Sequence, residues 1–464
     1  MQQRNQCLDA LRGFAILAMV LSSSIAFGIL PAWMYHAQVP PPYHVYKPEL
    51  PGITWVDLVF PFFLFSMGAA IPLALSKKVK EQAGFWSVAY IAGRRFLLLV
   101  FFALFTFHMR AWVQAEKPTA INYWLSVCSF VLLFFQFFES KGKFKLAFQI
   151  ARGVAFALAA VLLYVLPFKD GKGFSLMKED IIIIVLGNMA FFGTLIWWFT
   201  KNNQWIRIGI LGFVMAVFLG SKTAGSWNEA VFNFTPAPWM YKFYYLKYLF
   251  IVLPGTLAGD SLLESAKGTP NPGPQDKVWI RVIAALSILL IVINVCLLFS
   301  RQLVLNLAAS AALLAAIYYY VQKLAVSEYK LLHRFFTAGC FMLLLGLAFD
   351  AFEGGVKKDP STYSYYLITS GLAFFALLGF YGMQNERFTG SIINFFSLNG
   401  RNPMVAYVTG NLLLIPVLHL TGLFSYYTAI GTGPWTGALE GILFTGVVSL
   451  ITIFFTKRHW FWKT

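Results

Sequence analysis

The sequence predicts an all-helical integral membrane bundle that crosses the bilayer about 12–14 times, with both termini on the cytoplasmic side. Three observations carry this expectation. Of 464 residues 59% are hydrophobic and only 12% charged, against about 25% charged in a soluble domain. Runs such as Ile280 to Phe299 are long enough, at about 1.5 Å per residue, to span a hydrocarbon layer of about 30 Å. The Lys and Arg residues favour alternate breaks between these runs by roughly two to one, the sense of the positive-inside bias.

Apolar windows between charged or Pro/Gly-rich breaks place spans near 9–30, 53–76, 90–108, 121–138, 146–167, 180–200, 207–220, 244–263, 279–299, 303–323, 334–352, 365–382, 402–420 and 434–456, with 207–220 the shortest. The expected organisation is one transmembrane domain, 1–464, with a motif-bearing N-terminal part, 1–80, and C-terminal spans over 334–456. The first apolar run runs on to Leu30 with no A-x-A-like cleavage site, so it is read as a retained span with a cytoplasmic N-terminus. Inner breaks then hold Lys77, Lys78 and Lys80, next Lys141, Lys143 and Lys145, later Lys323, Lys330 and Arg334, and finally Lys457, Arg458 and Lys463.

The formal charge of +17 is scattered between spans and forms no stripe, so topology explains it and no nucleic-acid partner is expected. Cys7, Cys128, Cys296 and Cys340 lack paired spacing and point to neither a disulfide framework nor a metal site. Of the two longest outward breaks, 31–52 and 221–243, the first holds Pro31, Pro40, Pro41, Pro42, Pro48 and Pro51, which deny it helix and stiffen it. The inward break around Thr269 to Gln275, with Pro270, Pro272 and Pro274, reads as a flexible linker.

Two of the six histidines, His36 and His44, fall in that first loop, and Asp57 sits at the outer end of the second span. A carboxylate at membrane depth is expensive and faces a cavity or a partner, so Asp57 is a functional candidate, with helix capping as the structural alternative. Asp9 and Arg12, three apart on one helix face, can pair with each other or meet a bound anion. Gly13 permits close approach of another helix or of a ligand. Asn402 and Tyr407 open the thirteenth span, where buried amides commonly bond helix to helix.

Leu8-Asp9-Ala10-Leu11-Arg12-Gly13, an outer-loop His, and Asp57-Leu58-Val59-Phe60-Pro61-Phe62-Phe63-Leu64-Phe65-Ser66-Met67-Gly68 together resemble the heparan-alpha-glucosaminide N-acetyltransferase family of transmembrane acyltransferases, in its bacterial form. The resemblance covers about the first 75 residues, with weaker support at Gly255 to Asp260 and Asn399 to Tyr407. It implies transfer of an acetyl group from cytoplasmic acetyl-CoA to an amino sugar or glycan across the bilayer, with no metal. The family's catalytic outer-loop His is carried onto His44, the nearer histidine to Asp57, with His36 in reserve. Asp57 is expected to hold the His44 ring while it acts as general base or acetyl carrier.

Asp9, Arg12, Gly13, Gly68, Arg401, Asn402 and Tyr407 are expected around the donor: the arginines at its phosphates, the glycines leaving room for the pantetheine arm, Asn402 and Tyr407 at the thioester oxygen. His36, Trp55, Trp227 and Trp239 are expected at the acceptor, although the interfacial aromatic belt also explains tryptophans. The chain departs from the family where Leu21-Ser22-Ser23-Ser24 and Gly410-Asn411 stand in place of an Asn and a His, which bears on the acceptor. No luminal domain precedes the first span, so the expected setting is a bacterial inner membrane. The alternative is a transporter or flippase of a sugar or glycan precursor. N- and O-acetylation stay equivalent at this level, and a homodimer is admitted by the resemblance alone.

Overall fold

Thirteen helices among the described residues are long and apolar enough to cross a bilayer, so the chain is a multi-pass helical membrane protein. The computed structural model describes residues 5–140, 144–169, 171–265, 272–326 and 329–464. Lys141 and Lys143 of the expected inner break, and Thr269 and Pro270 of the expected linker, lie outside them. No strand occurs among the described residues beyond one isolated antiparallel bridge, Phe138 with Trp462.

The chain gathers into two compact units, each drawn from separated stretches: Met1–Ala83, Phe199–Ile208 and Tyr248–Gly400 in one, Gly84–Trp198, Gly209–Lys247 and Arg401–Thr464 in the other. At the centre of the first unit lie Trp55–Lys80, Leu249–Ser265 and Tyr363–Met383. In the bilayer, apolar burial does not drive helices together, so close backbone approach through small residues does. A Cβ at Gly68 would lie 2.2 Å from the Val252 carbonyl oxygen, and at Gly255 and Gly259 it would lie 2.3 Å from the carbonyls of Phe65 and Ala69. Gln6–Ser24 meets Arg387–Gly400 in the same way, through Gly13 and Gly400.

Proline adds a second constraint. Pro61 and Pro254 sit inside their helices and lack the N–H that the carbonyls of Asp57 and Phe250, four residues earlier, would accept. Both orphaned carbonyls find hydroxyls on Tyr363–Met383: Tyr365 donates to the Asp57 carbonyl at 2.7 Å, and Ser370 to that of Phe250 at 3.2 Å. We expect Tyr365→Phe to lower stability by about 1 kcal/mol. The loss should shrink in a Pro61→Ala background, which restores the helical donor; a double-mutant cycle of thermal melts in detergent measures the coupling.

These three helices run parallel. Phe60 packs on Tyr248, Phe65 on Phe374, and Gly255 and Gly259 follow Phe65 and Ala69 in step. Parallel spans need an odd number of crossings between them. Between Lys80 and Leu249 lie four of the thirteen long helices, so the 17-residue helix Gln204–Gly220 must be the fifth. At about 25 Å it is long enough. Fourteen crossings among the described residues follow.

In the second unit, Phe85–His108, Ala120–Phe137, Lys145–Val165 and Pro434–Lys457 are joined by a C-terminal strap, whose Lys463 N–H donates to the Phe137 carbonyl at 2.9 Å. The span Pro403–Leu420 carries a π-turn at Gly410–Leu414 just ahead of Pro416, a site where the helical ladder is already broken.

Candidate functional site

Asp57 enters the site as a capping residue. Trp55–Lys80 begins with a capping box in which the Asp57 carboxylate accepts from the Thr54 N–H at 3.0 Å. The same oxygen, Oδ2, accepts from the Thr54 hydroxyl at 3.2 Å and the Ala37 N–H at 3.2 Å. Its other oxygen, Oδ1, lies 2.7 Å from His36 Nδ1. Asp57 is 1% exposed, whereas the His36 side chain is 39% exposed. A buried carboxylate held by two backbone N–H donors therefore orients a ring that solutes can reach. In the tautomer with Nδ1 protonated, the ring donates to this carboxylate and Nε2 keeps the lone pair.

Lys358 completes the cluster. Its Nζ lies 2.9 Å from His36 Nδ1, 3.3 Å from Nε2 and 3.8 Å from Asp57 Oδ1. The loop between Lys330–Phe352 and Tyr363–Met383 delivers it. Gln38 grips that loop by accepting from the Asp359 N–H at 2.8 Å and donating to the Asp359 carbonyl, and the Gly52 N–H donates to Val356 at 2.7 Å. Beneath it Arg301 and Asp350 form a two-pronged ion pair at 3.1 and 3.3 Å. Gly355, at φ +114°, lets Pro51 press where a Cβ would lie. Burial pulls the Lys358 ammonium below its usual pKa of 10.5, while the charges of Asp57 and Asp359 work in the opposite direction.

The expected partnership of His44 with Asp57 is corrected by this geometry. His44 Nε2 accepts from the Gly28 N–H at 2.9 Å and Nδ1 faces the Val39 carbonyl at 3.2 Å. Its ring stands edge-on to Phe27 and Tyr35, with centroids 4.7 and 4.5 Å apart. Both nitrogens are spent on backbone, so His44 pins the loop. It lies thirteen residues from Asp57 and His36 twenty-one, but the short turn Ala32–Met34 and the buried Tyr35, whose carbonyl accepts from the Thr54 hydroxyl at 2.7 Å, fold the more distant histidine back onto the carboxylate.

Gly13 and Gly68 leave no room for an acyl arm. Added Cβ atoms there would lie 1.8 Å from the Phe396 carbonyl oxygen and 2.2 Å from that of Val252, so the space is taken by neighbouring helices. Arg12 bonds Asp9 at 3.4 Å, the Gly400 carbonyl at 3.4 Å and the Ser66 carbonyl at 3.2 Å, which ties three helices together. In the second unit, the Asn402 amide bridges the strap, donating to Trp460 at 2.8 Å and accepting from the Trp462 N–H at 3.2 Å. Tyr407 donates to Asp180 at 2.7 Å, beside Arg110. Arg401 and Trp239 are half-buried, and Trp227 is 69% exposed. Trp55, one turn ahead of Val59, keeps an indole N–H with no partner among the described residues.

Sequence reasoning passed over Lys358, although Lys357 and Lys358 in an outward break run against the positive-inside bias and were a signal of their own. It also passed over Arg207, which is fully buried and bonds Asp260 at 2.6 Å, Thr256 at 3.0 Å and Thr200 at 3.1 Å. Nothing local marks Arg207, since a basic residue at the start of a span reads as an anchor.

Fold and site together define a multi-pass helical membrane protein with a His–Asp–Lys cluster at the mouth of its second span. Residues 4–262 match the family model described as a domain of unknown function, DUF5009, and the chain belongs to that family. The matched stretch includes His36, His44, Asp57 and Arg207 but not Lys358. A comparison with curated proteins found no match.

Proposed function

We propose that the protein is a membrane-embedded acetyltransferase that moves the acetyl group of cytoplasmic acetyl-CoA to an amino sugar or glycan on the opposite side of a bacterial inner membrane. The reading rests on one observation: a solvent-reachable imidazole, His36, bonded through Nδ1 at 2.7 Å to a carboxylate that is itself buried and immobilised. This is the arrangement in which a carboxylate sets the tautomer and orientation of a general base. In the proposed step His36 Nε2 takes the proton as the acceptor amine attacks the thioester carbonyl. Collapse of the tetrahedral adduct breaks the C–S bond, and the proton passes to the departing thiolate. Lys358, whose Nζ lies 3.3 Å from Nε2, is a donor for the oxygen on which negative charge develops, and Trp55 offers its ring to a sugar.

The test is transfer of labelled acetyl from acetyl-CoA to a panel of amino sugars by the detergent-purified protein, with coenzyme A release followed in parallel. A carrier without acyl chemistry would release none, and that result would sink the reading.

The pH profile supplies a second check. Burial favours the neutral amine of Lys358, so the ammonium is lost at a lower pH than that of an exposed lysine. A reaction that uses the ammonium as donor therefore declines on the alkaline side as pH rises through this lowered pKa. Lys358→Arg, charged throughout, should carry the alkaline limb of kcat/KM to higher pH, and Lys358→Met should lower the rate by about 10²-fold or more below that pKa, with the deficit shrinking above it.

A further inference from the structure

We infer that the cavity beside Glu139, in the second unit, is a binding site for a phosphate ester. Its lipid arm stands apart from the proposed acetyl transfer, whereas its nucleotide arm rests on that reading, since adenosine 3′,5′-bisphosphate is the nucleotide end of coenzyme A; failure of that arm leaves the His36 chemistry to its own acetyl-transfer test. The cavity, of about 410 Å³, is lined by Glu139, Lys145, Arg152, Phe138 and Phe148 among others, a size ordinary for small-molecule sites. Three cations converge on the single carboxylate of Glu139: Arg94 at 4.0 Å, Arg152 at 4.0 Å and Lys463 at 3.9 Å. With Lys145 on the wall, four positive charges face one negative. They come from Phe85–His108, from Lys145–Val165 and from the C-terminal strap, so the fold brings them together against their mutual repulsion.

One carboxylate neutralises a quarter of that charge, and a phosphate group supplies what is missing with three or four acceptor oxygens. Arg152 is held on the cavity wall: its Nη2 donates to the Phe138 carbonyl at 2.8 Å, and its Nη1 faces Glu139 at 4.0 Å. An arginine held by one edge offers the rest of its planar fork to a phosphate in the geometry that guanidinium favours. The rings of Phe138 and Phe148, 5.1 Å apart, add an apolar wall. On the orientation read from the Lys and Arg bias, this end of the unit faces the cytoplasm, where both anionic lipid headgroups and nucleotide phosphates are available.

The two sources are separated by probe. The full-length protein in neutral detergent is titrated with dioleoylphosphatidylglycerol in mixed micelles, and separately with adenosine 3′,5′-bisphosphate, with phosphatidylcholine as the uncharged control and thermal shift as the readout. At least one phosphate probe should stabilise the protein where phosphatidylcholine does not, and the probe that does so names the source. Arg152→Gln and Lys463→Gln should each weaken that probe by on the order of tenfold. Glu139→Gln, which removes the competing carboxylate, should strengthen it, so the site is tested by a gain as well as by losses. Binding of neither probe, binding indifferent to all three substitutions, or binding weakened by Glu139→Gln would overturn the assignment.

Discussion

His36→Ala is expected to reduce acetyl transfer by about 10²- to 10⁴-fold, the range that a positioned general base contributes, while His44→Ala keeps the reaction within a few-fold of the unaltered protein. The difference follows from what each ring touches. His36 has Nδ1 on the buried Asp57 carboxylate and both ring nitrogens within reach of Lys358, so its removal takes the imidazole out of this cluster. His44 has both nitrogens on backbone groups of its own loop. Its removal should therefore appear in the melting temperature, through lost loop bonds and ring contacts, and leave kcat nearly unchanged. Initial rates with labelled acetyl-CoA, normalised to protein that stays monodisperse, decide the matter. Full activity in His36→Ala together with its loss in His44→Ala would reverse the assignment of the two histidines.

Gly13→Val and Gly400→Ala should each prevent assembly of the folded protein or lower its stability by more than about 3 kcal/mol. A Cβ at Gly13 would fall 1.8 Å from the Phe396 carbonyl oxygen, and one at Gly400 would fall 1.8 Å from that of Asp9. In both cases the obstacle is backbone of the facing helix, which no rotamer change can move aside. Separating the helices far enough to admit a methyl group would stretch the bonds that Arg12 makes to the Gly400 and Ser66 carbonyls. Ala at Gly84, whose Cβ would meet nothing within 4 Å, is the matched control and should behave like the unaltered protein. Fluorescence-detected size exclusion with a thermal ramp measures all three. A Gly13→Val protein that melts where the control does would refute the close packing.

Most of the fold was legible in advance because hydropathy is a sum over neighbouring residues. A stretch such as Pro274–Phe299 is apolar enough to name itself a span. The helix Gln204–Gly220 is the instructive exception. Its 17 residues leave its crossing undecided by length, and the parallel packing of Trp55–Lys80 with Leu249–Ser265 decides it by parity. Gly13 and Gly68 show the opposite limit, since a glycine announces close approach without saying of what. Asn402 and Tyr407 are similar: their hydrogen-bonding groups are evident in the sequence, but their partners, Trp460, Trp462 and Asp180, lie 58, 60 and 227 positions away along the chain.

From its sequence alone this protein was determined to be a many-spanned helical membrane protein with an ionisable group worth attention at Asp57, because the cost of placing apolar or charged atoms in hydrocarbon belongs to each residue and is felt wherever the chain runs. Tertiary structure alone decided that His36 rather than His44 meets that carboxylate, that Lys358 arrives from a loop some three hundred residues later, and that the glycines serve helices. A side chain's partner is chosen by the path of the loops and the direction of the packed helices, and separation along the chain sets neither.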